Sequence, residues 1–484
     1  MNAPIRRVAT FIAALFSLLL ISTTLIQFWF ARDLNAREDN RRTLLASYGT
    51  NRGAILVGGE PVAQSVPSDD EYKYQRTYAN GPGYAHITGY YSFYGAAGGL
   101  EATENDLLSG RSDKLFYRRV SDLFTGRKPA GASLELTINP AVQQAAIEGL
   151  GDQHGAAVAL DPRTGAILAL VSNPTYDPSL LASHDLTAVD EASKALNADP
   201  NRALIDRAIG GDLYPPGSTF KVVTTTMALD SGQYQPDSVV PGHATLDLPQ
   251  TTVGLDNDDH QPCGPNDETT LSHALVISCN TAFASIGMEL GADALRTQAQ
   301  KFGFGDSLEI PMTVTPSSVP AELNDPQTAQ SSIGQYDVRV TPLQMAMVAA
   351  GIANNGVVMK PYLIANVLAS DLSSIETASP SQLSVATSPE VAHQVRDMMV
   401  EVVNSGTGTA AQIDGVQVAG KTGTAQHAEN AAPHAWFISF APADNPTIAV
   451  AVVVENGGRL GNEAFGGTVA APIAKAMMQA ALNS

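Results

Sequence analysis

Three kinds of hydrophobic pattern divide the chain. Val8 to Ala31 (VATFIAALFSLLLISTTLIQFWFA) runs 24 residues without a charge. At about 1.5 Å per residue that is long enough to cross a bilayer core of about 30 Å. A second pattern begins near Gly155, where AAVAL and AILALVS flank the polar turn DPRTG (Asp161 to Gly165). These runs are apolar on both faces, so they predict a hairpin in the middle of a covered sheet. Strand-like runs return at Val416 to Thr424, Ala435 to Phe440 and Ile448 to Val454, and Val469 to Leu482 reads as an apolar-faced helix. The third pattern is helical: Asn139-Pro140 opens a helix to about Leu150, and Thr341-Pro342 caps LQMAMVAAGIANN, which Gly356 stops. Leu134 to Ile138 alternates as a strand does, whereas Asp33 to Ala132 has only short strand-like pieces such as Gly53 to Val57. Two strands, a mainly helical insertion, three strands and a closing helix predict an α+β domain. Segments 311–326 and 377–388 read as surface connections, and no internal repeat is present.

Length and composition narrow this picture. The 484 residues give room for roughly two or three domains. With 28 basic and 48 acidic residues the net charge is -20, which disfavours nucleic acid as a partner and otherwise reads as solubility. The apolar N-terminal run ends in the aromatic belt Gln27-Phe28-Trp29-Phe30 instead of a small-residue cleavage site, so an uncleaved signal-anchor is expected. Arg6 and Arg7 precede the span while Arg32, Arg37, Arg41 and Arg42 follow it; a short inside stub with a large outside domain is the expected orientation. The nine histidines show no metal-binding spacing, and two cysteines, Cys263 and Cys279, are too few for a metal site or a disulfide framework.

The stretch GVQVAGKTGTA from Gly415 to Ala425 carries two incompatible chemistries. Gly415, Gly420, Lys421 and Thr422 satisfy G-x-x-x-x-G-K-[ST], the phosphate-binding P-loop. That loop needs a buried strand before its first glycine and a helix starting at the lysine. Here GTGTAAQID precedes Gly415, TGTAQ follows Lys421, and the intervening Val-Gln-Val-Ala alternates like a strand. The strand reading makes the same letters K-T-G, an element of penicillin-interacting serine enzymes together with S-x-x-K and S-x-N. Ser218-Thr219-Phe220-Lys221 supplies S-x-x-K after Pro215-Pro216, at a helix start, with the serine and lysine on one face. Ser278-Cys279-Asn280 supplies S-x-N. Alone, S-x-x-K is most often a helix cap beside a surface lysine, and S-x-N a polar turn. All three in order are specific.

The chain resembles the class B penicillin-binding proteins, most closely the actinobacterial penicillin-binding protein A type. The resembling blocks are Arg52-Gly53-Ala54-Ile55-Leu56, Gly99-Leu100-Glu101 with Leu108-Ser109-Gly110, GAAVALDPRTGAILALVSNPTYDP, Ser332 to Gln335, Val340 to Ala346, and KTGTAQ. They cover about residues 50 to 470. Cys279 stands where many relatives have Asp, and Tyr336 where a second glycine often follows G-Q. The resemblance implies a membrane-anchored α+β protein whose serine transpeptidase (β-lactamase-like) domain has a five-stranded antiparallel sheet between helices. It implies a stub at 1–7, an anchor at 8–31, a pedestal (dimerisation-like) domain at 32–132 and a transpeptidase domain at 133–484, with no glycosyltransferase domain.

The implied activity is D,D-transpeptidation of peptidoglycan stem peptides ending in D-Ala-D-Ala, blocked by β-lactam antibiotics through the same acyl-enzyme. The implied roles are Ser218 as nucleophile, Lys221 as general base with its pKa lowered by burial and by Lys421, Ser278 as proton relay and Asn280 as a positioning group. Lys421, Thr422, Gly423 and Thr424 would bind substrate, and the Ser218 and Thr424 N–H groups would form the oxyanion hole. No cofactor and no metal are implied. The pedestal is either a spacer or a surface for other cell-wall synthesis or division proteins. A carboxypeptidase or β-lactamase would share Ser218 and Lys221 but pass the acyl group to water; a β-lactam sensor would need more inside the cell than a seven-residue stub. If the catalytic part lies outside the cell, a Cys263–Cys279 disulfide is expected, the alternative being two thiols with Cys279 a small buried hydrophobe.

Overall fold

A computed structural model describes residues 3–35, 48–70, 72–118, 124, 126, 130–428 and 431–484. The apolar N-terminal run forms a helix, Ala3–Thr24, continued by a π-helical turn at Leu25–Trp29, and none of it is buried against the rest of the chain. Arg37, Arg41 and Arg42 lie outside the described residues.

The expected five-stranded sheet is present and antiparallel throughout, in the order Ala419–Ala425, His434–Ala441, Ile448–Val454, Gly155–Leu160, Ile167–Asn173. Its central strands are buried at every position because helices cover both faces. Helices Pro140–Leu150 and Gly466–Leu482 pack on one face through residues such as Val142, Ala146, Ala470 and Met477. The Pro342–Ala353 helix packs on the other. Both helix starts read from sequence are capped as expected. Asn139 Oδ1 accepts from the N–H groups of Ala141 and Val142, and the Thr341 hydroxyl accepts from Gln344 N–H.

The K-T-G strand is shorter than expected. It begins at Ala419, and Val416 instead closes a turn against Ile413. A second difference lies in the pedestal, where the weak local pattern hides a six-stranded sheet. Its order is Ser374–Thr377, Ile364–Leu368, Ser133–Leu136, Ile55–Val57, Glu60–Pro67, Tyr74–Tyr78. The strand at Ser133–Leu136 therefore joins the pedestal sheet, pairing in parallel with Ile55–Val57. Two strands from beyond residue 360 extend that sheet, so it is completed by chain from within the transpeptidase region. At its heart the Glu101 carboxylate accepts from Arg52 Nε and Arg76 Nε, both at 2.6 Å, with all three side chains buried. Two of the short blocks that carry the family resemblance meet in this pair.

Candidate active site

The segment before Ser218 is held against the K-T-G strand. Trp436 Nε1 donates to Pro215 O at 3.1 Å, and the Thr219 hydroxyl donates to Pro216 O at 2.7 Å. Gly217 has φ +53°, and a Cβ there would stand 2.6 Å from Thr424 O, so only glycine lets the two backbones meet this closely. A 3-10 turn, Gly217–Phe220, then leads into the helix Lys221–Asp230. The α-helix was expected to start at the serine. The tighter turn serves the same end, because at three residues per turn positions i and i+3 eclipse and bring Ser218 and Lys221 onto one face.

Ser278 and Asn280 come from the junction between helices Leu271–Val276 and Asn280–Leu290, where Ser278 takes a left-handed φ of +64°. Lys221 Nζ donates to Ser278 O at 2.7 Å, to Ser278 Oγ at 3.3 Å and to Asn280 Oδ1 at 2.6 Å. From the opposite wall Lys421 Nζ donates to the same Ser278 hydroxyl at 2.9 Å and to Thr422 O at 3.0 Å. One hydroxyl thus joins two lysines that are both 0% exposed. Ser218, Ser278, Thr422, Gly423 and Thr424 line a single cavity of about 590 Å³. Lys421 therefore projects from a strand that is followed by no helix, which removes the P-loop.

Burial lowers the Lys221 ammonium to about 7, an effect that Asp258 opposes. Lys421 is also pushed well below its ordinary value, by burial first and then by the charge of Lys221, again against Asp258. Burial is the dominant cause at both lysines, and the repulsion between the two amines adds to it.

The Cys263–Cys279 bond is present, with Cα atoms 6.0 Å apart. It also ties down one end of the preceding segment, whose other fastening was not foreseen. Asn257 Oδ1 accepts from the N–H groups of Asn280 and Thr281 at 2.9 and 3.1 Å, capping that helix from a distant segment because Cys279 provides no side-chain cap. Asp258 Oδ1 accepts from Asn280 Nδ2 at 2.9 Å. Thr407 was missed too; its hydroxyl lies 2.6 Å from that of Thr422 at the rim of the cavity. The only sequence signal for Asn257 and Asp258 was the acidic stretch LDNDDHQPCGPNDE before S-x-N.

Residues 155–479 match the family described as penicillin binding protein transpeptidase domain, and residues 52–134 match the penicillin binding protein A dimerisation domain. The chain belongs to the penicillin-binding protein transpeptidase family. It is 45% identical over 493 residues to peptidoglycan D,D-transpeptidase PbpA of Mycolicibacterium smegmatis, covering all of this chain and 99% of that one. Solved structures of penicillin-binding protein A from M. tuberculosis superpose on 90% of this chain and all of theirs at 43% identity. The ceftriaxone acyl-enzyme complex does so with a TM-score of 0.87 and the penicillin G acyl-enzyme complex with 0.85. Within this penicillin-binding protein fold, the Ser332 to Gln335 block backs directly onto the Gly217–Phe220 turn and the helix after it: Gly217 N–H donates to Gly334 O at 2.9 Å and the Thr224 hydroxyl to Ser332 O at 2.7 Å. Tyr336, directly after Gln335, holds a left-handed φ of +59°, a conformation that glycine adopts more readily than tyrosine.

Proposed function

We infer that the chain is a peptidoglycan D,D-transpeptidase that works through an acyl-enzyme on Ser218. The observation that carries this reading is the meeting of Lys221, Asn280 and Lys421 around Ser278, beside a cavity that Ser218 and Ser278 both line. The Ser218 hydroxyl is a weak nucleophile until a base takes its proton. A lysine with its pKa near 7 is a competent base at working pH, because a substantial fraction is neutral there. Ser218 Oγ attacks the carbonyl carbon of the penultimate D-alanine while its proton passes to Lys221 Nζ. Developing charge on the carbonyl oxygen is met by the Ser218 and Thr424 N–H groups, donors of a kind that contribute about 3 kcal/mol each when well placed. The C–N bond then breaks, and the leaving D-alanine nitrogen receives its proton through the Ser278 hydroxyl, which both lysines contact. An acceptor amine attacks the ester, gives up a proton along the same route and returns Ser218 to its hydroxyl. Lys421, Thr422 and Thr424 bind the terminal carboxylate by charge and hydroxyl donors, with Gly423 letting the strand approach the nucleophile turn.

The substrate is a stem peptide ending in D-Ala-D-Ala, so the catalytic domain lies outside the membrane and the residues before the span lie inside. Pedestal residues up to 132 lift the site from the bilayer and offer surface to other cell-wall proteins. β-Lactams acylate Ser218 and stay because the acyl group has no ready acceptor. Intact mass of the detergent-solubilised chain after penicillin treatment, followed over hours, tests the reading. A lasting single adduct is expected; rapid return to the free mass would make the protein a β-lactamase, and no adduct would remove the mechanism.

A further inference from the structure

The loop from Asp256 to Cys263 is fastened at both ends beside the two lysines, by the disulfide at one and by Asn257 at the other. Between these fastenings the Asn280 side-chain amide is gripped on its nitrogen side. Its Nδ2 donates to Asp258 Oδ1 at 2.9 Å and to Asp256 O at 3.1 Å, while its Oδ1 accepts from Lys221 Nζ at 2.6 Å. A carboxylate can only accept, so Asp258 permits one orientation of the Asn280 amide, the one with its oxygen on Lys221. The charged groups around the lysines are few. Lys221 and Lys421 face each other across Ser278, and Asp258 is the acidic group acting on both. The Asp256 carboxylate is turned instead to Thr245 and His260, and the Asp259 carboxylate to Gln261 N–H.

We propose that Asp258 is a positioning residue for the acylation step, fixing the Asn280 amide on Lys221 and supplying the negative charge that keeps a proton on the Lys221–Lys421 pair. The pair needs that charge because two buried ammonium groups sharing one hydroxyl repel each other, yet the reaction asks Lys221 to be a neutral base while Lys421 greets a carboxylate. A nearby anion retains one proton on the pair without quenching the base. This inference rests on the reading of Lys221 as the base.

Its test is the pH profile of penicillin acylation in the full-length, detergent-solubilised protein. Asp258→Asn keeps an acceptor for Asn280 and removes the charge. Losing the anion lowers the pKa of the pair, so the acidic limb of the profile should move down by on the order of one pH unit. Asp258→Ala removes the acceptor as well and should also lower the rate on the pH plateau. Asp267→Asn makes the same charge change in the same acidic stretch, at a position paired with His243 and away from the lysines, and should leave the limb in place. A profile for Asp258→Asn that superimposes on the wild type overturns the proposal, as does an equal shift in Asp267→Asn. Should Asp258→Ala fail to fold, the Asn variant alone decides. Normal acylation of Lys221→Ala would instead overturn the reading of the base, whatever Asp258 does.

Discussion

The two large sheets bury their residues by opposite means. In the five-stranded sheet all eight residues of His434–Ala441 and all seven of Ile448–Val454 are buried, and the covering layers are almost wholly apolar. In the pedestal sheet Glu60–Pro67 buries only Val62 and Ala63, and the neighbouring interior is organised around the Arg52–Glu101–Arg76 ion triad. An apolar, close-packed sheet holds its edge strand rigidly and needs no help from charge, so that edge can devote its polar groups to a substrate. The pedestal adds a buried ion triad to an apolar core of residues such as Ile55, Leu100 and Leu134, and inherits the triad's dependence on pH. The proposed chemistry draws on the edge strand of the first sheet, and the second sheet packs beside a buried charge network.

The sharpest separation of the two comes from Ser218→Ala, which should abolish penicillin labelling completely while leaving the thermal unfolding temperature within about a degree of wild type. The hydroxyl lies at the start of a turn and faces the cavity, so its removal opens no void in either sheet. Labelling that survives in this variant would end the assignment.

Glu101→Gln should do the reverse. Removing one partner of a buried ion network leaves uncompensated charge, a loss of about 3–5 kcal/mol that urea unfolding would register. Protein that remains folded should still acylate at close to the normal rate. The same carboxylate carries a pH signature. Burial raises its pKa, but Arg76 and Arg52 outweigh that, and the net value in the folded protein lies below the ordinary 4.5. The unfolded chain therefore binds more protons between the two values. The triad's stabilisation is fully present above pH 4.5 and is lost as pH falls through the folded pKa. Stability that is flat from pH 6 to 3 would show the triad to be energetically idle.

How much of this was legible depended on how local each signal was. The five strands and their flanking helices were readable because each carries its own periodicity or cap, as in Gly155–Leu160 or Asn139-Pro140. Lys421 does lie on a strand, although of the four alternating residues that suggested it only Ala419 belongs to that strand. The pedestal sheet was not readable, because its strands are short and three of its partners lie far apart in sequence: Ile55–Val57, Ser133–Leu136 and Ile364–Leu368. Asn257 and Asp258 were missed for the same reason. Their role is to cap and orient a helix more than twenty residues away, and nothing in their own neighbourhood records it.

Reduction of the Cys263–Cys279 bond should cost less than breaking the triad. A closed loop spanning 16 residues stabilises by about 3 kcal/mol in the chain-entropy picture. Its effect should concentrate at the active site, because Cys263 also tethers the end of the segment that carries Asn257 and Asp258. Acylation should slow after reduction while far-UV circular dichroism barely changes. Two titratable thiols in denatured, unreduced protein from the cell envelope would remove the bond from the working enzyme.

The smallest expected effect on folding, and the most informative about the edge strand, belongs to Lys421→Met. The substitution keeps most of the buried stem and removes the ammonium. A charge-assisted contact to the substrate carboxylate is worth about 1.5–3 kcal/mol, so the second-order rate of penicillin acylation should fall about ten- to a hundredfold. Folding should respond in the opposite direction. Lys421 is buried beside a second amine, and its depressed pKa means that its charged form is destabilised in the folded state. The unfolded chain binds the proton more tightly, so at pH 7 the native protein spends free energy on keeping this group, and methionine relieves it. The unfolding temperature should hold or rise as activity drops. A rise in stability with loss of acylation would mark Lys421 as a residue kept for chemistry on a sheet that would be steadier without it. A variant that acylates normally would leave the edge strand without its proposed role in binding the carboxylate.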